Sequence, residues 1–215
     1  MVVVFDLDDT LFAEMEYVRS AYREISRRYG WPYLDMMLSA ASPREAFDAT
    51  GLPVDLQLEI YRTHRPDISL PWQSLYTLAA LRNRGCTLGI VTDGRSITQH
   101  HKIEALGLDR FVRPDMIFIS EEVRADKISG EPFVRIMSKF GKSERYIYIG
   151  DNPAKDFVAP NRMGWLTICL LGGADGNNLF SQDFSSFPKE NLPEMKIGYL
   201  TELLEIVDFE NSTLK

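Results

Sequence analysis

The sequence is poor in cysteine, lacks a long apolar run and has no excess of positive charge. Only two cysteines occur among 215 residues, too few for a disulfide scaffold. Both lie in apolar runs, so we expect buried, reduced thiols. No apolar run approaches the roughly 20 residues of a transmembrane helix, and the first residues lack the basic region of a signal peptide. The net charge of −7 excludes a global basic surface for nucleic acid. We therefore expect a cytoplasmic chain without a nucleic-acid or membrane partner.

Short apolar runs alternate with helical patterns along most of the chain. Five runs are predicted to be strands: residues 2–5, 86–91, 116–119, 146–149 and 167–171. Strands that alternate with helices form right-handed βαβ units. The predicted fold class is therefore α/β, with a doubly wound parallel sheet that helices cover on both faces.

A block without strands follows the first apolar run. Residues 14–70 place apolar side chains at helical spacing, which predicts a small all-helical domain. Residues 1–13 and 71–215 then form the α/β core. Within that core, residues 175–196 are rich in Asn, Ser, Asp and Pro, which is typical of a surface segment. A last short helix is expected near 199–207.

Polar side chains follow the strands, at the edge where doubly wound sheets bind ligands. They are Asp6 and Asp8 after the first strand, Thr92, Asp93 and Gly94 after the second, Lys127 beyond the third, and Asp151 and Asp156 after the fourth. Clustered carboxylates repel one another unless a cation neutralises them. An oxygen-only site suits Mg²⁺, and the absence of His and Cys at these strand ends argues against a transition metal. The sequence therefore predicts a magnesium site.

The order of these residues resembles the four motifs of the haloacid dehalogenase superfamily. Its phosphatases carry Asp-x-Asp-x-Thr, a Ser or Thr, a Lys, and Gly-Asp-x-x-x-x-Asp. The matching residues here are Asp6, Asp8 and Thr10, then Thr92, then Lys127, then Gly150, Asp151 and Asp156. One departure occurs, because the family's lysine commonly precedes proline and Lys127 precedes Ile128.

The resemblance implies an aspartyl-phosphate mechanism. Asp6 is then the nucleophile that attacks the phosphoryl group. Asp8 is the general acid that protonates the leaving alcohol and later the base that activates water. Lys127 neutralises the nucleophile and the charge that develops on the phosphoryl group.

The resemblance also implies two groups of binding residues. Magnesium is held by Asp6, by the backbone carbonyl of Asp8 and by Asp151. Asp156 either orients these ligands or binds the ion through a water molecule. Phosphoryl oxygens are bound by Thr92, Lys127 and the backbone amides of Asp93 and Gly94.

The acid at Asp8 favours phosphate monoester hydrolysis, since related dehalogenases lack it. A sugar phosphomutase of the same superfamily stays open as an alternative, and so does a non-catalytic binding or regulatory module. The helical block matches the cap that such enzymes insert after the first motif, which implies a small phosphorylated substrate. Sugar phosphates, phosphoglycolate and nucleotides remain candidates. The oligomeric state is open, with a monomer among the options. Candidate specificity residues whose roles are undecided are Glu14, Tyr17, Arg44, Arg62, His64 and Arg65, and the role of Arg95 after the second strand is also open.

Overall fold

A computed structural model describes residues 1–174 and 184–212. The chain divides into two compact units. The sheet unit comprises Met1–Ala13, Leu70–Ser96 and Gly107–Lys215. The helical unit comprises Glu14–Ser69 together with Ile97–Leu106. The second of these segments was assigned to the core in the sequence analysis, whereas in the structure it clusters with the helices of residues 14–69.

The sheet unit is built on six parallel strands. They are β1 Val2–Phe5, β2 Thr87–Thr92, β3 Ile117–Ile119, β4 Tyr146–Gly150, β5 Leu166–Leu170 and β6 Met195–Ile197. Their order across the sheet is β3-β2-β1-β4-β5-β6. The predicted α/β class and the doubly wound parallel sheet are confirmed. β1 is buried along its whole length, as expected of a central strand whose residues are all apolar.

The order of the strands reverses between β1 and β4, which pair directly. The register aligns Val2 with Tyr146 and Phe5 with Ile149. In doubly wound sheets, ligands bind at such a reversal, outside the carboxyl ends of the strands. The residues that follow Phe5 and Ile149 therefore lie at the expected position of a site.

Helices connect the strands and form the second unit. The α-helices of the described residues are α1 Glu14–Tyr29, α2 Pro32–Leu38, α3 Pro43–Thr50, α4 Val54–Thr63, α5 Trp72–Asn83, α6 Ser96–Ala105, α7 Ser120–Val123, α8 Glu131–Phe140, α9 Val158–Arg162 and α10 Leu203–Ser212. None of them combines the length and the apolar character that a membrane span requires.

The helical unit has its own apolar core. Tyr22 and Ile25 of α1 pack with Met37 of α2, Phe47 of α3 and Ile60 of α4. α3 begins as its sequence indicates, with the Ser42 hydroxyl accepting the Glu45 amide and proline at the first helical position.

The sequence analysis was wrong about three local elements. β6 overlaps the end of the predicted surface segment and was not predicted as a strand. Two of its three residues are exposed, and so short a run has no readable periodicity. Residues 175–183 of that segment lie outside the described residues. The sequence pattern predicts a helix over residues 154–163, whereas α9 begins only at Val158, since the chain before it turns around the Asp156 carboxylate. α10 begins only at Leu203, after a 3-10 turn.

Candidate active site

Three buried carboxylates meet at the carboxyl ends of β1 and β4. Asp6 follows β1, Asp151 follows β4, and Asp156 lies one turn further along the chain. One oxygen from each lies within 4.8 Å of the others. The exposed fraction is 3 % or less for all three residues. Such a cluster needs positive charge close by, because the carboxylates repel one another in a medium that screens poorly.

Lys127 supplies part of this charge. Its ammonium lies 2.7 Å from Oδ1 of Asp6 and 2.7 Å from Oδ1 of Asp156, and the whole residue is buried. Burial by itself lowers the pKa of Lys127, but the charges of Asp156 and Asp6 outweigh it and hold the pKa well above its usual value. Lys127 is therefore a cation that bridges two of the three carboxylates.

The charge of Lys127 does not offset the effect of burial on the pKa values of Asp6 and Asp151. Burial raises the pKa of Asp6 to about 7, against the lowering effect of Lys127 and with a further increase from Asp156. Burial and the charges of Asp156 and Asp6 raise the pKa of Asp151 to about 9. The cluster consequently favours protons or an additional cation over bare negative charge.

Asp156 is held tightly against the backbone of its own turn. Its Oδ2 accepts hydrogen bonds from the amides of Asp151, at 3.1 Å, and Asn152, at 2.8 Å. A Cβ on Gly150 would lie 2.4 Å from the same oxygen. Glycine before Asp151 is thus required because the Asp156 carboxylate occupies the space of a side chain.

We expect Gly150→Ala to displace the Asp156 carboxylate and to disturb its contact with Lys127. The added methyl group cannot fit at 2.4 Å, and overpacking of this kind costs about 1–3 kcal/mol or more. Chemical denaturation should show the loss. Gly141→Ala is a comparison for the loss of a glycine, since no atom of the described residues lies within 4 Å of its Cβ position, although its positive φ adds backbone strain. An unchanged unfolding free energy for Gly150→Ala would contradict this explanation.

The loop after β1 carries Asp6 and also contacts Asp151. Oδ1 of Asp6 accepts the Leu7 amide at 2.7 Å, and the buried Thr10 hydroxyl donates to Oδ1 of Asp151 at 3.2 Å. Asp9 has a φ of 56°, in the left-handed region that Asp adopts more readily than most residues. Asp8 is half-buried, and its side chain is not part of the three-carboxylate group.

The residues after β2 lie beside the lysine. Thr92 is buried at the end of β2. Oδ1 of Asp93 accepts the backbone amide of Lys127 at 3.2 Å. The amide of Gly94 donates to Oγ of Ser120 at 2.9 Å. The sequence analysis assigns the Gly94 amide to phosphoryl binding, whereas in this structure that amide donates its hydrogen bond to Ser120.

Two buried side chains next to the carboxylates were missed. Cys169 lies on β5, outside the four strand ends considered for the metal, with its Sγ 3.8 Å from the backbone oxygen of Asp151. Burial raises the pKa of its thiol, which keeps it protonated. Tyr148 of β4 lies with its hydroxyl 3.5 Å from Oδ1 of Asp156. Neither position stands out in an apolar strand, and only knowledge of the register would have shown that they adjoin the site.

The undecided residues of the helical unit have structural contacts. His64 is buried, with Nδ1 3.0 Å from the Tyr61 carbonyl oxygen and Nε2 3.2 Å from Oγ of Ser20. Burial lowers the pKa of His64, so a neutral ring with a packing role fits best. Tyr17 is buried and its hydroxyl donates to the Tyr61 carbonyl. Arg65 is exposed.

Three of the remaining candidates, Glu14, Arg44 and Arg95, make long or exposed ion pairs. Glu14 lies 3.9 Å from the ammonium of Lys102. The Arg44 side chain is 93 % exposed and 3.9 Å from Asp48. Arg62 is half-buried. In the sheet unit, Arg95 lies 3.9 Å from Glu121. These contacts assign no substrate-binding role.

The sequence profile of the haloacid dehalogenase-like hydrolases matches residues 3–170. The chain belongs to this family, as its motifs predict.

Its relatives include phosphatases that match along nearly the whole chain. It is 26% identical to the glyceraldehyde 3-phosphate phosphatase of Methanopyrus kandleri, over 95% of this chain and 96% of that protein. It is 24% identical to the ribulose-1,5-bisphosphate 5-phosphatase of Halopiger xanaduensis, over 94% and 85%. The phosphatase assignment made from the motifs is thereby confirmed. Among solved structures, the HAD-hydrolase YfnB from Bacillus subtilis, described with bound magnesium, superposes with a TM-score of 0.68 at 20% identity, over 96% of this chain and 98% of that one. This match shows the shared fold.

Proposed function

We propose that this protein is a Mg²⁺-dependent phosphatase that hydrolyses the phosphate monoester of a small phosphorylated carbohydrate through an aspartyl-phosphate on Asp6. The buried group formed by Asp6, Asp151, Asp156 and Lys127 carries this proposal. It brings three carboxylates and an ammonium together at the reversal of strand order, which supports Asp6 as the nucleophile and the carboxylate oxygens as metal ligands. The two relatives named for sugar-phosphate substrates support the substrate class.

The three carboxylates fit a hard divalent cation. Their donor atoms are all oxygen, and burial, together with the neighbouring carboxylates, raises the pKa of Asp6 and of Asp151, so a bound cation would stabilise their charged forms. Asp6, Asp151 and the backbone carbonyl of Asp8 would hold the ion. Both oxygens of Asp156 already accept bonds from protein donors, which supports an orienting role for this residue. When bound, Mg²⁺ supplies positive charge for the phosphoryl oxygens.

In the first step, a carboxylate oxygen of Asp6 forms a bond to phosphorus while the bond from phosphorus to the ester oxygen breaks. Asp8 gives its proton to that leaving oxygen, so the alcohol departs neutral. The Lys127 ammonium stabilises the charge that moves through Asp6 and the phosphoryl group. Thr92 and the Asp93 amide donate hydrogen bonds to phosphoryl oxygens.

In the second step, water attacks phosphorus of the aspartyl-phosphate. Asp8, now a carboxylate, takes a proton from the water, and the bond between phosphorus and the Asp6 oxygen breaks. Orthophosphate leaves and both carboxyl groups return to their starting protonation. The helical unit is proposed to act as the cap that selects the leaving alcohol.

A panel of phosphate esters tests this function. Purified protein is incubated with glyceraldehyde 3-phosphate, ribulose 1,5-bisphosphate, phosphoglycolate, AMP and a phosphotyrosine peptide, each with Mg²⁺ or with EDTA, and released orthophosphate is measured. We expect release from the sugar phosphates that requires Mg²⁺. Release from no ester, in a protein that binds the metal, would contradict the proposal. Preference for AMP or the peptide would overturn the substrate class.

Metal binding is also expected to depend on pH. The folded-state pKa values of Asp6 and Asp151 lie above the unfolded value of 3.8, so without metal these two groups bind more protons in the folded state than in the unfolded chain. Their contribution to the unfolding free energy therefore falls as pH rises from about 4 to about 9. Mg²⁺ binds the deprotonated carboxylates, so the gain in melting temperature with Mg²⁺ should grow over the upper half of that window.

Thermal unfolding with Mg²⁺ and with EDTA at pH 6, 7, 8 and 9 measures this gain. Asp151→Asn removes one of the two titrating groups and should flatten the dependence. A gain that is the same at every pH in the unaltered protein would contradict the assignment of these carboxylates as metal ligands.

A further inference from the structure

Side-chain hydrogen bonds join two separate segments of the candidate site. The Thr92 loop, residues 92–96, carries the hydroxyl and amide proposed to bind the phosphoryl group. The Lys127 segment, residues 120–127, begins with α7 and ends at the lysine. The Asp93 side chain contacts the lysine end of this segment, and the bonds described next involve its beginning.

Ser120 holds the turn of the Thr92 loop through Gly94. Its Oγ accepts a hydrogen bond from the Gly94 amide at 2.9 Å and donates one to the Gly94 carbonyl oxygen at 3.4 Å. Gly94 has a φ of 151°, a backbone conformation that glycine adopts far more readily than other residues. One hydroxyl thus satisfies both backbone groups of a residue that lies two positions after Thr92.

The two glutamates that follow Ser120 fix the end of the same loop. Oε2 of Glu121 accepts the Ser96 amide at 2.7 Å, and Oε1 of Glu122 accepts the Ser96 hydroxyl at 2.6 Å. Ser96 is the first residue of α6, so these carboxylates lie where the helix dipole favours negative charge. The first amide of α6 is therefore engaged by Glu121.

We propose that Ser120 and Glu121 are positioning residues, which fix the Thr92 hydroxyl relative to the Lys127 ammonium and thereby set the affinity for the phosphoryl group. This inference rests on the proposed function, since it concerns the phosphoryl donors of that site. Donors aimed in advance at a charged group are effective because they need no reorganisation. A displacement of about 1 Å in such a group can cost about 100-fold in rate.

Ser120→Ala tests the serine directly. We expect faster hydrogen exchange at the amides of residues 94–96 and at Lys127, and roughly tenfold weaker binding of orthophosphate. The KM for the ester should rise by a similar factor, while the Mg²⁺-induced gain in melting temperature stays unchanged. Ser120→Thr retains the hydroxyl and should restore exchange and affinity. Ser138→Ala removes a hydroxyl that donates to the Val134 carbonyl oxygen within α8, and it should change neither.

Glu121 is tested by comparing two replacements. Glu121→Gln keeps an oxygen that can accept the Ser96 amide, whereas Glu121→Ala removes it. We expect the alanine variant to weaken orthophosphate binding and the glutamine variant to bind almost normally. Glu131→Ala breaks an exposed ion pair with Arg135 and is the control. Equal losses for both Glu121 variants would assign the effect to charge and overturn the positioning role.

A double-variant cycle decides whether Ser120 acts through Thr92. In a Thr92→Val background, Ser120→Ala should add little further loss of phosphate affinity, because the donor it positions is gone. Additive losses, or unchanged hydrogen exchange in Ser120→Ala, would overturn the inference. An unaltered protein that neither binds orthophosphate nor hydrolyses esters would overturn the proposed function instead, and hydrogen exchange would still decide whether Ser120 joins the two segments.

Discussion

Asp6→Asn is expected to abolish Mg²⁺-dependent release of phosphate while leaving the protein folded. The amide cannot form the bond to phosphorus, and loss of a covalent nucleophile typically lowers kcat by about 1,000-fold or more. Stability should change little or rise in the absence of metal, because the replacement removes a buried acid whose pKa burial raises to about 7. Steady-state kinetics and thermal unfolding measure the two effects separately.

Asp9→Asn is the matched control. It makes the same chemical change three residues along the chain, at a position whose φ of 56° asparagine also adopts readily. We expect this variant to retain most of the activity. Activity that survives in Asp6→Asn, measured against this control, would remove Asp6 as the nucleophile.

Lys127→Met should damage both activity and stability. The buried ammonium lies 2.7 Å from Asp6 and 2.7 Å from Asp156, so its loss leaves two carboxylates without their shared cation. Removal of one partner from a buried ion pair costs roughly 3–5 kcal/mol, and removal of a charge-stabilising group lowers kcat by about 100- to 1,000-fold. The carboxylates can take up protons instead, so the loss of stability should be larger at pH 9 than at pH 6.

Two further variants separate these effects. Lys127→Met combined with Asp156→Asn removes one of the two carboxylates that lose their cation. Compared with Lys127→Met alone, this double variant should be more stable but no more active. Lys139→Met removes an exposed lysine that pairs with Asp115, and such surface pairs contribute about 0–1 kcal/mol. Normal activity in Lys127→Met would contradict the proposed role of the lysine, whatever its stability.

The sequence predicts those parts of the fold in which local pattern and burial agree. β1 is apolar at every position because both faces of a central parallel strand are buried, so its run is readable without the structure. β6 has two exposed residues out of three and gives no such signal. α2 follows α1 within a few residues, and a pattern of helical spacing alone does not separate them.

The candidate site also has a part that the sequence predicts and a part that it does not. Asp6 and Asp151 directly follow strands, so topology alone predicts that they meet. The bonds from Ser120 to Gly94 and from Asp93 to Lys127 join loop residues far apart in sequence. Their existence depends on the conformation of two turns, which a sequence pattern does not specify. Tyr148 and Cys169 adjoin the carboxylates from within strands, where the choice of residue looks like ordinary packing.

The central claim is that a phosphoryl group is transferred to Asp6. A single turnover with a hydrolysed sugar phosphate, stopped by acid and reduced with borohydride, converts an aspartyl-phosphate into homoserine at the same position. Peptide mass spectrometry should find this conversion at residue 6, and only when substrate and Mg²⁺ are both present. Phosphate release at the normal rate with unmodified Asp6, or with conversion at another aspartate, would contradict the account.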